Sequence, residues 1–230
     1  MRTFVVSCRV VAVVACFGVA VVAQRPLTVP RDLLATVERP PLEFAMVLSA
    51  EAIPAGIEIK DADDVVPFKP PVFKAERDLN QVPLGDLVDA FDAANDDYGA
   101  ALIDGVFVIR PREGRAAFLD APSSLDGVVM VTGLMEAQQA IFAQLSPRVL
   151  DPMIRVDHGG EAAKAFVTEF SLDGTGGRRV VDTLNEIALK MPGAWQVTTR
   201  EHDGEAEIAK FGFIYSDFNR SLRNVPIGPR

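Results

Sequence analysis

The sequence predicts an α+β protein of two similar small modules, each with two helices packed on a short sheet in the order β-α-β-α-β-β. Three observations carry this expectation. An apolar N-terminal run reads as a removable leader, so it takes no part in the fold. The remainder matches itself at a constant offset of 93 residues. Within each copy, helical apolar spacing is followed by two apolar stretches around an Asp-Gly pair.

The leader comes first. Arg2 and Arg9 precede an apolar run, Val10 to Ala23, that ends in Val21-Val22-Ala23 before Gln24. That run is shorter than the roughly 20 residues a spanning helix needs. It has the small-residue end of a secretory signal peptide, with cleavage expected between Ala23 and Gln24 and residues 1–23 removed. Val13-Val14-Ala15-Cys16 resembles a lipobox, and processing there would leave a lipidated Cys16, but the apolar run ahead of it is very short. Cys8 and Cys16 are the only cysteines, and both lie in the leader. A chain cut after Ala23 therefore has no disulfide, cysteine nucleophile or thiolate metal site. Its 207 residues (230 less 23) suffice for a core that buries about 70% of the unfolded surface. Loss of Arg2 and Arg9 moves the net charge from −9 to −11, which disfavours nucleic acid and anionic lipid as partners.

The first module is expected over residues 31–112 and the second over 124–215, with a flexible tail at 216–230. Copy one begins with a β-rich stretch, Leu33 to Glu38, and copy two with Val128 to Thr132. A helix follows, Leu42 to Ile53 or Leu134 to Leu145, stopped by Pro54 or Pro147 because proline has no amide to continue it. A strand comes next, Val72 to Leu79 or Ala165 to Leu172. The second helix places Leu84, Leu87, Val88, Phe91 and Ala94 on one face, and Val180, Val181, Leu184, Ile187 and Met191 in its counterpart. Hairpins close both copies at Asp104-Gly105 and Asp203-Gly204. The ungapped offset pairs Leu42 with Met135, Phe73 with Phe166 and Val88 with Val181.

Leu33 to Arg112 resembles the secretin and TonB short N-terminal domain, or STN. The likeness rests on a helix at Leu42 to Ile53, then Gly56 and a short strand, Ile57-Glu58-Ile59. It continues with Asn80-Gln81-Val82-Pro83-Leu84 opening the second helix, and ends on the apolar Val106-Phe107-Val108-Ile109. Copy two is similar only through the duplication. Val149 stands where Gly56 would, and Gly174-Thr175-Gly176-Gly177 replaces the turn before the second helix. The resemblance implies a periplasmic protein-interaction module. The large barrel or channel that usually follows in that family is not in this sequence.

Catalytic readings are weaker. Asp157, His158 and Glu161 could supply a base or metal ligands to an exported hydrolase, but they sit in a glycine-flanked loop without an H-E-x-x-H pattern. Gly174-Thr175-Gly176-Gly177 with Arg178-Arg179 has the place of a phosphate loop but not its spacing, and reads as a plain turn. Asp61-Ala62-Asp63-Asp64 and Asn95-Asp96-Asp97 lack the alternation of a calcium loop. Trp195 reads as core; with Tyr215 it could instead form an aromatic patch, and a cleft between the modules could hold a small ligand. The expectation is therefore an exported, non-catalytic binding protein without metal or cofactor. Its partner would be another envelope protein, taken by strand addition at Val106, Phe107, Val108 and Ile109 as a sheet edge.

Overall fold

The structure is a computed structural model that describes residues 28–30, 38–51, 53–71, 73, 81–143, 149–156, 167–191, 193–202 and 205–215. The leader, the 33–37 stretch, most of 72–79, the 157–166 loop, the second Asp-Gly turn and the tail lie outside the described residues. The α+β class is as expected. The first half runs β1 (Thr28–Pro30), α1 (Pro41–Ala50), β2 (Ala55–Lys60), β3 (Gln81–Pro83), α2 (Leu84–Ala94), β4 (Tyr98–Ile103) and β5 (Val106–Pro111). A short helix α3 (Ala117–Asp120) links it to β6 (Val128–Thr132), α4 (Gly133–Phe142), β7 (Val149–Val156), β8 (Glu169–Asp173), α5 (Val180–Lys190), β9 (Ala194–His202) and β10 (Glu205–Tyr215). Each half is thus β-α-β-β-α-β-β, one strand more than the expected β-α-β-α-β-β; β1 lies ahead of the stretch expected at Leu33 to Glu38, and β3 follows the strand expected at Val72 to Leu79, where Phe73 is not in a strand. The added strands are β2 and β7, directly after the first helix. The resemblance marks the first of them, at Ile57-Glu58-Ile59, as a short strand; β7, which carries Asp151 and Pro152, reads as irregular chain.

The halves do not keep separate main sheets. Six strands form one sheet in the order β4-β5-β2-β9-β10-β7, joined by parallel pairing of β2 with β9. Two small antiparallel pairs, β1-β3 and β6-β8, stand apart from it. The helices of the first half cover one face. Phe44 and Leu48 of α1 and Leu87 and Phe91 of α2 share a core with Ile57, Ile59, Phe107 and Ile109. The opposite face carries Val106, Val108, Trp195, Phe211 and Phe213, covered by α4 and α5. Beyond those helices the core extends to Val131, Phe170 and Leu172 of the small β6-β8 sheet.

Local chemistry explains the boundaries. Pro41 occupies the first position of α1, where a missing amide costs nothing. Asp104 and Gly105 both have positive φ (50° and 87°), which the two-residue turn between β4 and β5 requires. The α2 N-cap is Pro83 and the α5 N-cap is Arg179, which are 96 residues apart. At the first helices the offset is 92 (Pro41 to Gly133), so by helix position Leu42 matches Leu134 and not Met135, and at the second helices it is 96, three more than the ungapped 93. By helix position Val88 faces Leu184, not Val181. A slip of three residues is close to one helical turn, so the apolar face survives and hides it in the sequence. Phe166, the expected partner of Phe73, is outside the described residues.

Candidate interaction surface

The strand expected from sequence to be an edge is internal. Val106 to Ile109 in β5 pairs with β4 on one side and β2 on the other, and all four residues are buried. Val106 and Val108 enter one core, and Phe107 and Ile109 the other. An unbroken apolar run marks a strand covered on both faces. The edges of the main sheet are β4 and β7; among the described residues each is paired on one side only.

Between those edges lies the β2-β9 joint. Gly56 stands opposite Trp195, and a Cβ at Gly56 would lie 2.1 Å from the indole ring. Only glycine lets that ring lie across the strand. Trp195 is fully buried and its Nε1 donates to Asn185 Oδ1 of α5 at 2.9 Å. It is a core residue, as expected. Lys210 reaches across to pair with Asp64, and Thr199 Oγ1 donates to the Ile59 carbonyl at 3.3 Å.

Sequence reasoning missed an ion-pair network on the face covered by α5. Glu58 of β2 is wholly buried and accepts from Arg110 Nε at 2.6 Å and from the Ala116 amide. Arg110 also makes a bidentate pair with Asp120 of α3 at 2.8 and 2.9 Å. Arg179 stands 3.6 Å from the same Asp120. Hydrogen bonding to Arg110 holds the Asp120 carboxyl below its ordinary range. Burial opposes the charge on Arg110, yet its two carboxylate partners hold its pKa above the ordinary value. The network fastens the linker between the halves to β2, β5 and the start of α5. Its signal was a single charge in each of two apolar strands, Ile57-Glu58-Ile59 and Val108-Ile109-Arg110. A charge there must be paired when the strand is buried.

The two acidic runs meet at a pocket of about 140 Å³ lined by Asp63, Lys69, Asn95, Asp96, Asp97 and Tyr98 among others. The Tyr98 hydroxyl donates to Asp63 Oδ2 at 2.7 Å and accepts from the Lys60 amide. Burial, and then Asp63, push that phenol above its usual pKa. Asn95 is buried and bonds the Lys69 backbone through both ends of its amide. These contacts use the acids and amides to hold loops together. Among the described residues no three His, Asp or Glu side chains come close enough to hold a metal.

Gly174-Thr175-Gly176-Gly177 forms a 3-10 turn, and a Cβ on Gly174 would lie 2.4 Å from the Leu125 carbonyl oxygen. The α5 N-terminus beyond it is already satisfied: the Val180 amide bonds Ala121, and Asp182 accepts from the Arg179 amide. This turn offers an anion few free donors. Asp157, His158 and Glu161 lie outside the described residues, as does the side chain of Tyr215.

Of the two open edges, β4 is the better described. Tyr98 to Ile103 has no charge and no proline, and Leu102 is 47% exposed. Edge strands commonly carry charge or proline to stop unwanted pairing. A single guard is present: the Ala100 amide donates to Asp92 Oδ1 of α2 at 2.6 Å. Val128, Met130 and Met135 are also exposed, around the small β6-β8 sheet. No helix among the described residues is long and apolar enough to cross a membrane. Comparison with known proteins finds no family model, curated protein or solved structure that matches this chain.

Proposed function

We propose that this chain is an exported, non-catalytic interaction protein of a bacterial envelope, made of two tandem STN-like modules over residues 31–112 and 124–215. The leader would be cut between Ala23 and Gln24, leaving no lipid on Cys16, and the partner would be another protein of the envelope. The observation that carries this reading is the main sheet, which ends on both sides in strands paired only once among the described residues. Such edges offer unpaired amides and carbonyls to an extended chain, the basis of recognition by strand addition. The tandem reading is supported by matching partners within each module, β5 parallel to β2 and β10 parallel to β7.

The test is capture from an envelope fraction with the exported chain and with Ala100→Pro, which removes an edge donor whose bond is to Asp92. We expect a protein bound by the parent and lost by a folded Ala100→Pro variant. A His158→Ala variant should bind like the parent. Equal capture by both edge forms, or loss through His158→Ala alone, would overturn the reading.

A further inference from the structure

The main sheet is two consecutive triplets, β4-β5-β2 and β9-β10-β7. In each, the first two strands form an antiparallel hairpin and the third runs parallel to the second. The triplets meet third strand to first, with β2 parallel to β9. With β2 pointing up, β5 and β9 also point up while β4, β10 and β7 point down. The second triplet therefore keeps the left-to-right order and reverses every direction. Half a turn about an axis crossing the strands, plus an advance of three strands, does this. The same operation exchanges the faces of the sheet, which accounts for α1 and α2 on one side and α4 and α5 on the other. A screw of this kind does not close on itself, so it leaves one unused surface of each kind. Those surfaces are the outer sides of β4 and β7, unpaired among the described residues, and one further step would set them together in parallel.

We propose that β7 of one chain pairs in parallel with β4 of a second copy, so that chains add head to tail through a contact that repeats the β2-β9 joint. This rests on the edge-pairing reading above and names the chain itself as an occupant of those edges. Asp92 governs the contact, because it holds the Ala100 amide that an incoming strand would use. It is the ninth residue of α2; the ninth residue of α5 is Ala188, and the strand following α5, β9, is joined. Arg112 lies 3.5 Å from Asp92 and pairs with it when the amide is given up, so no charge is stranded. Pro152 in β7 removes at most one bond from the new ladder.

Sedimentation velocity on the exported chain over a concentration series tests this. The parent should form species beyond the dimer as concentration rises. Asp92→Ala should raise the association constant about fivefold and Ala100→Pro lower it about as much, the worth of one backbone hydrogen bond. Ala100→Pro keeps a β7 edge, so adding it to the parent should shorten the oligomers. If contact were β4 to β4, the added variant would be inert, and the head-to-tail proposal would fall. Should Ala100→Pro fail to fold by circular dichroism, Leu102→Lys takes its place on the same edge. Monomers throughout for parent and Asp92→Ala, or oligomers indifferent to all these variants, would overturn the proposal. Monomers combined with envelope capture lost in the edge variant would discard the second copy and leave the edge reading standing. Monomers with unchanged capture would discard both.

Discussion

The two halves share an order of elements but resolve their exposed hairpin strands in opposite ways. In the second half β9 is buried between β2 and β10, and its indole at Trp195 fills the space that Gly56 leaves. In the first half β4 faces outward, carries only small or apolar residues beyond Tyr98 and is held at one amide by Asp92. Halves with the same order of elements thus make a joint in one place and an open edge in the other. Substitutions that act on one half and spare the other probe this difference.

The largest effect should come from Arg110. Replacing it with methionine leaves the buried Glu58 without its guanidinium partner, which typically costs about 3 to 5 kcal/mol. Chemical denaturation should register that loss. The double variant Glu58→Gln with Arg110→Met should recover a good part of it, since no buried charge remains. Equal losses in both would mean that Arg110 acts through packing alone.

Next is the glycine contrast. Gly56→Ala forces a Cβ into the ring of a fully buried tryptophan and should cost about 2 to 3 kcal/mol. In Gly99→Ala, on the open β4, the new Cβ meets the exposed Arg112 side chain, with Nη1 nearest at 3.3 Å, and the change should stay within about 0.5 kcal/mol. Similar melting curves for the two variants would show that Trp195 is free to move and that the joint is looser than its geometry.

How far the sequence disclosed this architecture depends on the kind of signal. Helix faces and the Asp104-Gly105 turn were legible because their periodicity and φ demands are local. The sheet order was not, because pairing Ala55 of β2 with Ala194 of β9 joins distant parts of the chain and leaves no local trace. The apolar stretch Val106 to Ile109 was legible as a strand and misread as an edge. Continuous apolarity is what burial on both faces demands, whereas the real edge at β4 draws less notice with its glycine and alanines. Asp92 and Glu58 each looked like ordinary helix or strand charges. Their roles depend on a neighbour brought near by the fold, the Ala100 amide for one and Arg110 for the other.

Asp120 supplies a pH test of the linker. Its folded pKa is depressed, so its ion pair adds stability above the unfolded carboxylate value near 4 and loses it as pH falls through the folded value. The side chain is 41% exposed, and solvent screening limits the gain to about 1 kcal/mol. Asp120→Asn should therefore destabilise at neutral pH and match the parent in acid. A penalty that persists at low pH would point to lost shape in α3 instead of lost charge.

The smallest effect returns to the helix starts. Both second helices carry aspartate at the third position, Asp86 in α2 and Asp182 in α5. In α5 the Asp182 carboxylate accepts from the Arg179 amide at 3.0 Å and from its guanidinium at 2.7 Å, closing one side of a capping box. In α2 the preceding residue is Pro83, which has no amide to offer, so Asp86 acts only through the helix dipole. Asp182→Ala should then cost about 1 kcal/mol, and Asp86→Ala no more than about 0.5 kcal/mol. Burial raises the Asp182 pKa, but the bonds to Arg179 outweigh it and the net shift is downward. Its contribution is therefore complete above the unfolded carboxylate value and lost as pH falls through the folded value. Thermal melts of both variants at neutral and acid pH would read this directly. If Asp86→Ala proves as costly as Asp182→Ala, the two helix starts are equivalent and the Arg179 cap adds nothing of its own.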